Sequence, residues 1–175
     1  MAGHSLQRHS AVTTSEGDCT VTFRLTGLDA AIFAPYFRMS DGELAARGAR
    51  RCIVDARPGF PDRIELRDLE LGETAILLNY EHQSAPTPYR ASHAIYVGER
   101  STQAFDAVGV VPESLRTRPL SLRAFDAAHM LRDAVLVDGL DAAAALEKLL
   151  EQADTAYVHV HYARPGCYAA RADRA

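Results

Sequence analysis

Apolar and polar residues alternate along several short stretches of this chain, and one later stretch carries a helical stripe. Val21, Phe23 and Leu25 alternate with polar partners over Thr20-Val-Thr-Phe-Arg-Leu-Thr26, the pattern of a half-buried strand that Gly27 ends. Asp29 can cap a short helix over Ala30 to Phe33, which Pro35 should interrupt. Ser40-Asp-Gly-Glu43 has the form of a capping box, opening a second short helix around Leu44 to Arg47. A strand is expected at Arg51 to Asp55, broken by Pro58-Gly59-Phe60-Pro61. Another is expected at Arg63 to Arg67, where Ile64 and Leu66 alternate. Glu70-Leu-Gly-Glu73 reads as a turn. Thr74 to His82 begins with apolar residues on both faces, which marks a covered central strand, and turns polar only at Asn79-Tyr-Glu-His82. A loop at Pro86-Thr-Pro88 precedes further short strands at Ala94 to Val97, Ala107 to Val111, Ser121 to Phe125 and Ala134 to Val137. The last two are joined near Ala127-Ala-His129.

Leu140, Ala143, Ala144, Leu146, Leu149, Leu150 and Ala153 form an apolar stripe at helical spacing, behind Asp138 or Asp141 as caps. This helix leads into a β-favouring run, Tyr157 to His161. Many short strands, few helices and short connections predict an α+β fold with a largely antiparallel sheet, curled or barrel-like. It should carry one main helix in the C-terminal half and short N-terminal helices. Residues 1–18 lack an apolar core stretch and are expected to be flexible, leaving 19–175 as a single globular domain.

Composition narrows the function classes. A net charge of −4 supplies no basic excess to neutralise phosphates, so no nucleic-acid partner is expected. No apolar run approaches the roughly 20 residues that span a bilayer, so no membrane partner is expected either. Cys19, Cys52 and Cys167 are odd in number and show no close ligand spacing, which predicts reduced thiols in a cytoplasmic protein.

The densest reactive chemistry lies in Tyr157-Val-His-Val-His-Tyr-Ala-Arg-Pro-Gly-Cys-Tyr168. In a strand, His159 and His161 project from one face with origins roughly 6.5–7 Å apart, near enough for their rings to converge. A metal would need a further ligand, and Glu81, His82, His93, Cys167 and Asp55 are the available donors. No set is complete in the sequence, so no metal ligand is assigned and the cofactor is left open. The alternative is that Val158 and Val160 face the core while the histidines face water. Cys167 could act as a nucleophile beside these groups. Glu81 and His82 could form an acid–base pair. Arg164, Arg57 and Arg90, with Asn79 and Tyr89, could hold an anionic group. Arg63, Arg67 and Arg123 are expected on solvated faces.

Arg51-x-x-Val54-Asp55, Pro58-Gly59-Phe60-Pro61-x-Arg63, Leu77-Leu78-Asn79-Tyr80-Glu81-His82, Pro88-Tyr89-Arg90-Ala91-Ser92, Leu120 to Asp126, His159-Val-His161 and Gly166-Cys167-Tyr168 occur in one order. Together they resemble the bacterial domain of unknown function 1203 family, from about Phe23 onward. The resemblance implies a small stand-alone bacterial cytoplasmic protein and no particular activity. Asp62 stands where that family often has cysteine, and Tyr162 where asparagine is expected. The resemblance therefore gives no support here to a two-cysteine redox mechanism through Cys167.

The leading expectation is a small-molecule-binding protein or enzyme acting on a small anionic ligand. His159, His161, Cys167, Glu81 and His82 would be its reactive groups. A non-catalytic homodimeric interaction or scaffold protein is the alternative, and a His-x-His metalloprotein the second alternative.

Overall fold

The alternation of the sequence resolves into nine strands and four helices over residues 21–175, the part of the chain described by this computed structural model. In chain order these are β1 (Phe23–Thr26), α1 (Ala30–Phe37), α2 (Asp41–Ala46), β2 (Arg50–Ile53), β3 (Thr74–Gln83), β4 (Ala91–Gly98) and β5 (Asp106–Val108). There follow α3 (Glu113–Arg116), β6 (Pro119–Phe125), β7 (Leu131–Asp138), α4 (Ala142–Glu151), β8 (Tyr157–Tyr162) and β9 (Tyr168–Arg174). The segment 1–18, expected to be flexible, and Cys19 lie outside the described residues.

The strands form two open antiparallel sheets, one of six strands in the order β5-β1-β9-β8-β6-β7 and one of three in the order β2-β3-β4. The fold is α+β and largely antiparallel, as the pattern predicts, but neither sheet closes into a barrel. Among the described residues, β5 and β7 are the edge strands of the larger sheet.

The pleat of the larger sheet separates two kinds of chemistry. Val158, Val160 and Tyr162 of β8 lie beside Leu120, Leu122 and Ala124 of β6 and Ala170 and Ala172 of β9. These residues join the apolar stripe of α4, Leu146, Leu149 and Leu150, in one buried cluster. Burying each leucine contributes about 1.5–3 kcal/mol, which fixes α4 on this face. The opposite face carries Ser121, Arg123, Phe125, Tyr157, His159, His161 and Arg171.

The smaller sheet has its own gradient. Ile76 and Leu78 of β3 lie opposite Val97 and Ile95 of β4, and they bury with Phe33 of α1, Leu44 of α2 and Ile64. Two residues further on, the same face presents Tyr80 opposite His93, and then His82. Asn79 and Glu81 point the other way and are exposed.

Several local expectations meet the structure directly. Ser40 and Glu43 make both hydrogen bonds of the capping box, although α2 starts three residues earlier than Leu44. Pro35 lies inside α1 and does not end it. The helix continues two residues beyond the proline, and its C-terminal turn is closed by Arg38 N–H donating to Pro35 O and Tyr36 O while Phe33 anchors it in the core.

The strand expected at Arg63 to Arg67 does not form. The buried Asp62 carboxylate accepts from Ile64 N (3.2 Å) and Glu65 N (2.8 Å), curling the chain, and Leu66 adopts φ 51°. Asp62 also accepts from Gly98 N and Ser101 Oγ, each at 2.8 Å, which ties this loop to the end of β4. Arg63 is not on a solvated face. It is 1% exposed, donates from Nε to Tyr168 O (2.9 Å) and from Nη1 to Pro61 O, and lies over the Tyr162 ring. Gly27 permits this packing, because a Cβ there would sit 2.1 Å from Ile64 O.

Candidate functional site

Every residue of β8 is buried, so its two histidines do not face water. His159 is 3% exposed and His161 is fully buried. They meet the polar end of the smaller sheet. The His82 ring centroid lies 5.5 Å from that of His159 and 5.1 Å from that of His161, edge to face in both cases. One ring nitrogen from each of the three lies within 4.8 Å of the others. The site therefore forms where the two sheets touch, with Tyr168 of β9 as part of its floor. The Tyr168 ring stacks on His82 at 5.0 Å and 10°.

The hydrogen bonds around these rings define their free nitrogens. His161 Nδ1 lies 3.0 Å from Gly166 O, an acceptor, so that nitrogen carries the proton and Nε2 keeps its lone pair. Gly166 reaches this position in the turn after β8 with φ 74°, a conformation glycine adopts without strain. His82 Nε2 lies 2.9 Å from His93 Nδ1, and the two rings stack at 4.8 Å and 9°. The remaining nitrogens, His82 Nδ1 and His161 Nε2, have no hydrogen-bond partner among the described residues, and neither has His159 Nδ1. A buried polar atom left unpaired costs about 1–3 kcal/mol. Three such atoms on one cluster are a substantial expense for a fold to carry.

Burial also sets the protonation state. It is the first cause that pushes His82 down to about 4, with the charges of His93 and Arg123 adding to it. It pushes His161 down to about 3, followed by Arg123, while the bond to Gly166 O opposes the shift. His159 falls to about 2, through burial and then its histidine neighbours His82 and His161. His93 is lowered by burial and then by Arg123. All four imidazoles are neutral at pH 7, the form in which a ring nitrogen binds a metal.

Arg123 acts on all four because strand register places it beside the cluster. It lies directly opposite His159 across the β6–β8 pair, and Arg171 lies opposite His159 on the other side. Arg171 is paired with Asp173 and covers the Tyr157 ring at 4.1 Å. Arg123 is half-buried rather than on a solvated face, and its one side-chain hydrogen bond among the described residues is to Ser121 Oγ at 3.4 Å.

Two cavities flank the cluster. The smaller, about 380 Å³, is bounded by His82, His161, Arg123 and Arg90, with Tyr89, Phe125 and Leu131 among its less polar walls. The larger, about 740 Å³, is bounded by His93, Arg63, Tyr96, Arg118, Arg164 and Cys167. Cys167 Sγ accepts from Arg63 Nη2 at 3.0 Å there.

The residues proposed from the sequence thus divide. His82, His159 and His161 come together. Arg90 and Tyr89 border the small pocket, while Cys167 and Arg164 border the large one. Glu81 turns outward and binds Arg90 at 2.5 Å, so it does not pair with His82. Arg57 is exposed and bound to Glu70, and Asn79 is on the outer face of β3. Asp55 borders a shallow hollow beside Cys52.

The family model described as Protein of unknown function (DUF1203) matches residues 59–174. The chain belongs to that family. The match contains every residue of the histidine cluster together with Arg123 and the three arginines of the larger cavity, Arg63, Arg118 and Arg164. No curated protein and no solved structure matches the chain. No described helix is long and apolar enough to cross a membrane.

Sequence reasoning missed Arg123, Tyr168 and the outer group around Tyr157. The Tyr157 hydroxyl accepts from Gln83 Nε2 at 2.7 Å and lies 2.8 Å from His129 Nδ1. The period-two pattern of β6 could have placed Arg123 on a strand face, but only the pairing register puts it beside His159.

Proposed function

We propose that the protein is a metalloprotein that binds one divalent transition metal through His82, His159 and His161 and presents it to a small molecule. The convergence of three imidazoles, two buried and one half-buried, each with a buried ring nitrogen that has no hydrogen-bond partner among the described residues, carries this reading. Imidazole ligands suit zinc, copper, iron or nickel better than calcium or magnesium. Zinc–nitrogen bonds of about 2.0–2.1 Å in a tetrahedral site set the nitrogens roughly 3.4 Å apart. The nitrogens lie within 4.8 Å of one another, so an ion would draw the rings together by up to about 1.4 Å.

Three protein ligands leave a coordination position open, the arrangement of catalytic rather than structural sites. The cavity against His82 and His161 gives that position an approach. A metal there would polarise a bound oxygen or lower the pKa of a bound water toward neutrality. His93 and the Gly166 carbonyl orient His82 and His161, the supporting role that outer partners play around metal-binding histidines. Free thiols at Cys52 and Cys167 fit a reducing, cytoplasmic compartment.

Calorimetric titration of chelator-treated protein with Zn²⁺ and Co²⁺ tests the reading. One equivalent should bind, His159→Ala or His161→Ala should abolish binding, and His93→Ala should weaken it about 10–100-fold. Failure of the wild-type protein to bind either ion would overturn the assignment, as would undiminished binding in both alanine variants.

A further inference from the structure

Several arginines around the site have an evident partner among the described residues. Arg118 is held by Asp68, Arg171 by Asp173, and Arg63 by backbone carbonyls. Arg123 differs. It is half-buried, its one side-chain hydrogen bond among the described residues is the weak one to Ser121, and it meets no carboxylate among them. Removing a guanidinium from water without a counter-charge is expensive, and its planar fork is matched to a carboxylate.

The pocket that Arg123 borders gives that charge a use. His82 and His161 stand on one side of it, and Phe125 and Leu131 contribute apolar wall. A divalent ion on three neutral imidazoles would add two positive charges that no ligand offsets. The nearby carboxylate of Glu81 is already bound to Arg90 at the rim. Metal and Arg123 together therefore call for an anion that the described residues do not supply. The volume of about 380 Å³ lies toward the lower end of the range for small-molecule sites. Apolar walls desolvate a doubly charged phosphate poorly, whereas they suit a monoanion with an apolar body.

We propose that this pocket binds a small organic monocarboxylate, its carboxylate held between Arg123 and the metal and its apolar body against Phe125 and Leu131. The placement rests on the three-histidine metal reading. Binding is then mutual: the carboxylate tightens the metal and the metal tightens the carboxylate by the same factor.

The test uses Co²⁺, benzoate, the neutral analogue benzamide and inorganic phosphate. Metal uptake is measured first by calorimetry. Benzoate should then change the visible absorption of the Co²⁺-loaded protein and raise its melting temperature, while benzamide does neither. Arg123→Gln should weaken benzoate at least tenfold, and Arg123→Lys should fall between it and wild type. The melting temperatures of both variants without ligand report whether they fold. Benzoate should also tighten Co²⁺ binding in the wild-type protein.

Absence of Co²⁺ uptake overturns the three-histidine reading and the ligand placement with it. Uptake without any benzoate response overturns the carboxylate assignment alone. Equal benzoate affinity in folded Arg123→Gln removes Arg123 from the site, and tighter binding of phosphate than of benzoate refutes the ligand class.

Discussion

Replacing His159 by phenylalanine should leave the metal-free protein as stable as the wild type, or more stable. The His159 ring has four aromatic neighbours at ring-centroid distances of 5.1–5.5 Å: Phe125, Tyr157, Tyr168 and His82. Its Nδ1 is buried without a hydrogen-bond partner among the described residues. Relief of that atom returns about 1–3 kcal/mol. The slightly larger phenyl ring costs up to about 1.5 kcal/mol in a packed site. The net expectation runs from no change to a gain of about 2 kcal/mol, and each kcal/mol raises the melting temperature by about 2–4 °C in a protein of this size. Urea unfolding of chelator-treated wild type and His159→Phe measures the difference. Adding Zn²⁺ should reverse the order, because an ion at 100 times its dissociation constant stabilises the wild type by about 2.7 kcal/mol and the variant hardly at all. A loss above about 1 kcal/mol in the metal-free variant would refute the reasoning, since it would show that the imidazole supports the fold by bonds of its own.

The same burial makes the metal-free protein acid-sensitive. Unfolded histidines titrate near 6.5, whereas His159 and His161 titrate in the folded protein at about 2 and 3. Their neutral forms contribute full stability above about pH 6.5. That contribution is lost as the pH falls toward the folded values, at about 1.4 kcal/mol per pH unit for each ring. Urea midpoints at pH 7.5, 6.0 and 5.0 should therefore drop steeply, and a flat profile would contradict the assigned neutral rings. Asp62→Ala should destabilise by at least about 3 kcal/mol, because four donors lose a charged acceptor. Asp62→Asn should cost less, and a change below 1 kcal/mol in the alanine variant would show that the loop is held by other contacts.

Much of the scaffold was legible because its signals are local. The alternation around Phe23 and Leu25, the apolar opening of β3 and the stripe of α4 each reflect burial on a single face. The capping box at Ser40 is equally local. β9 escaped notice because its buried positions after Tyr168 are alanines and Arg171 and Asp173, between and beyond them, pair with each other. Arg63 to Arg67 misled because Ile64 and Leu66 are buried without being extended; Asp62 bends their backbone. In the site, the shared face of His159 and His161 follows from strand periodicity, and so does that of Tyr80 and His82. Their meeting does not, since it depends on how one sheet seats on another. Arg123 required the register of β6 against β8, and Glu81 was drawn away from His82 by the pleat that placed them on opposite faces.

His82 comes from one sheet, while His159 and His161 come from the other. An ion shared among them would act as a detachable rivet between two separately hydrogen-bonded layers. Metal supply would then govern how tightly the β3–β4 hairpin is fastened. Amide exchange in Tyr80 to His93 would slow when the ion is present, while exchange in the α4-covered half of the larger sheet would respond far less.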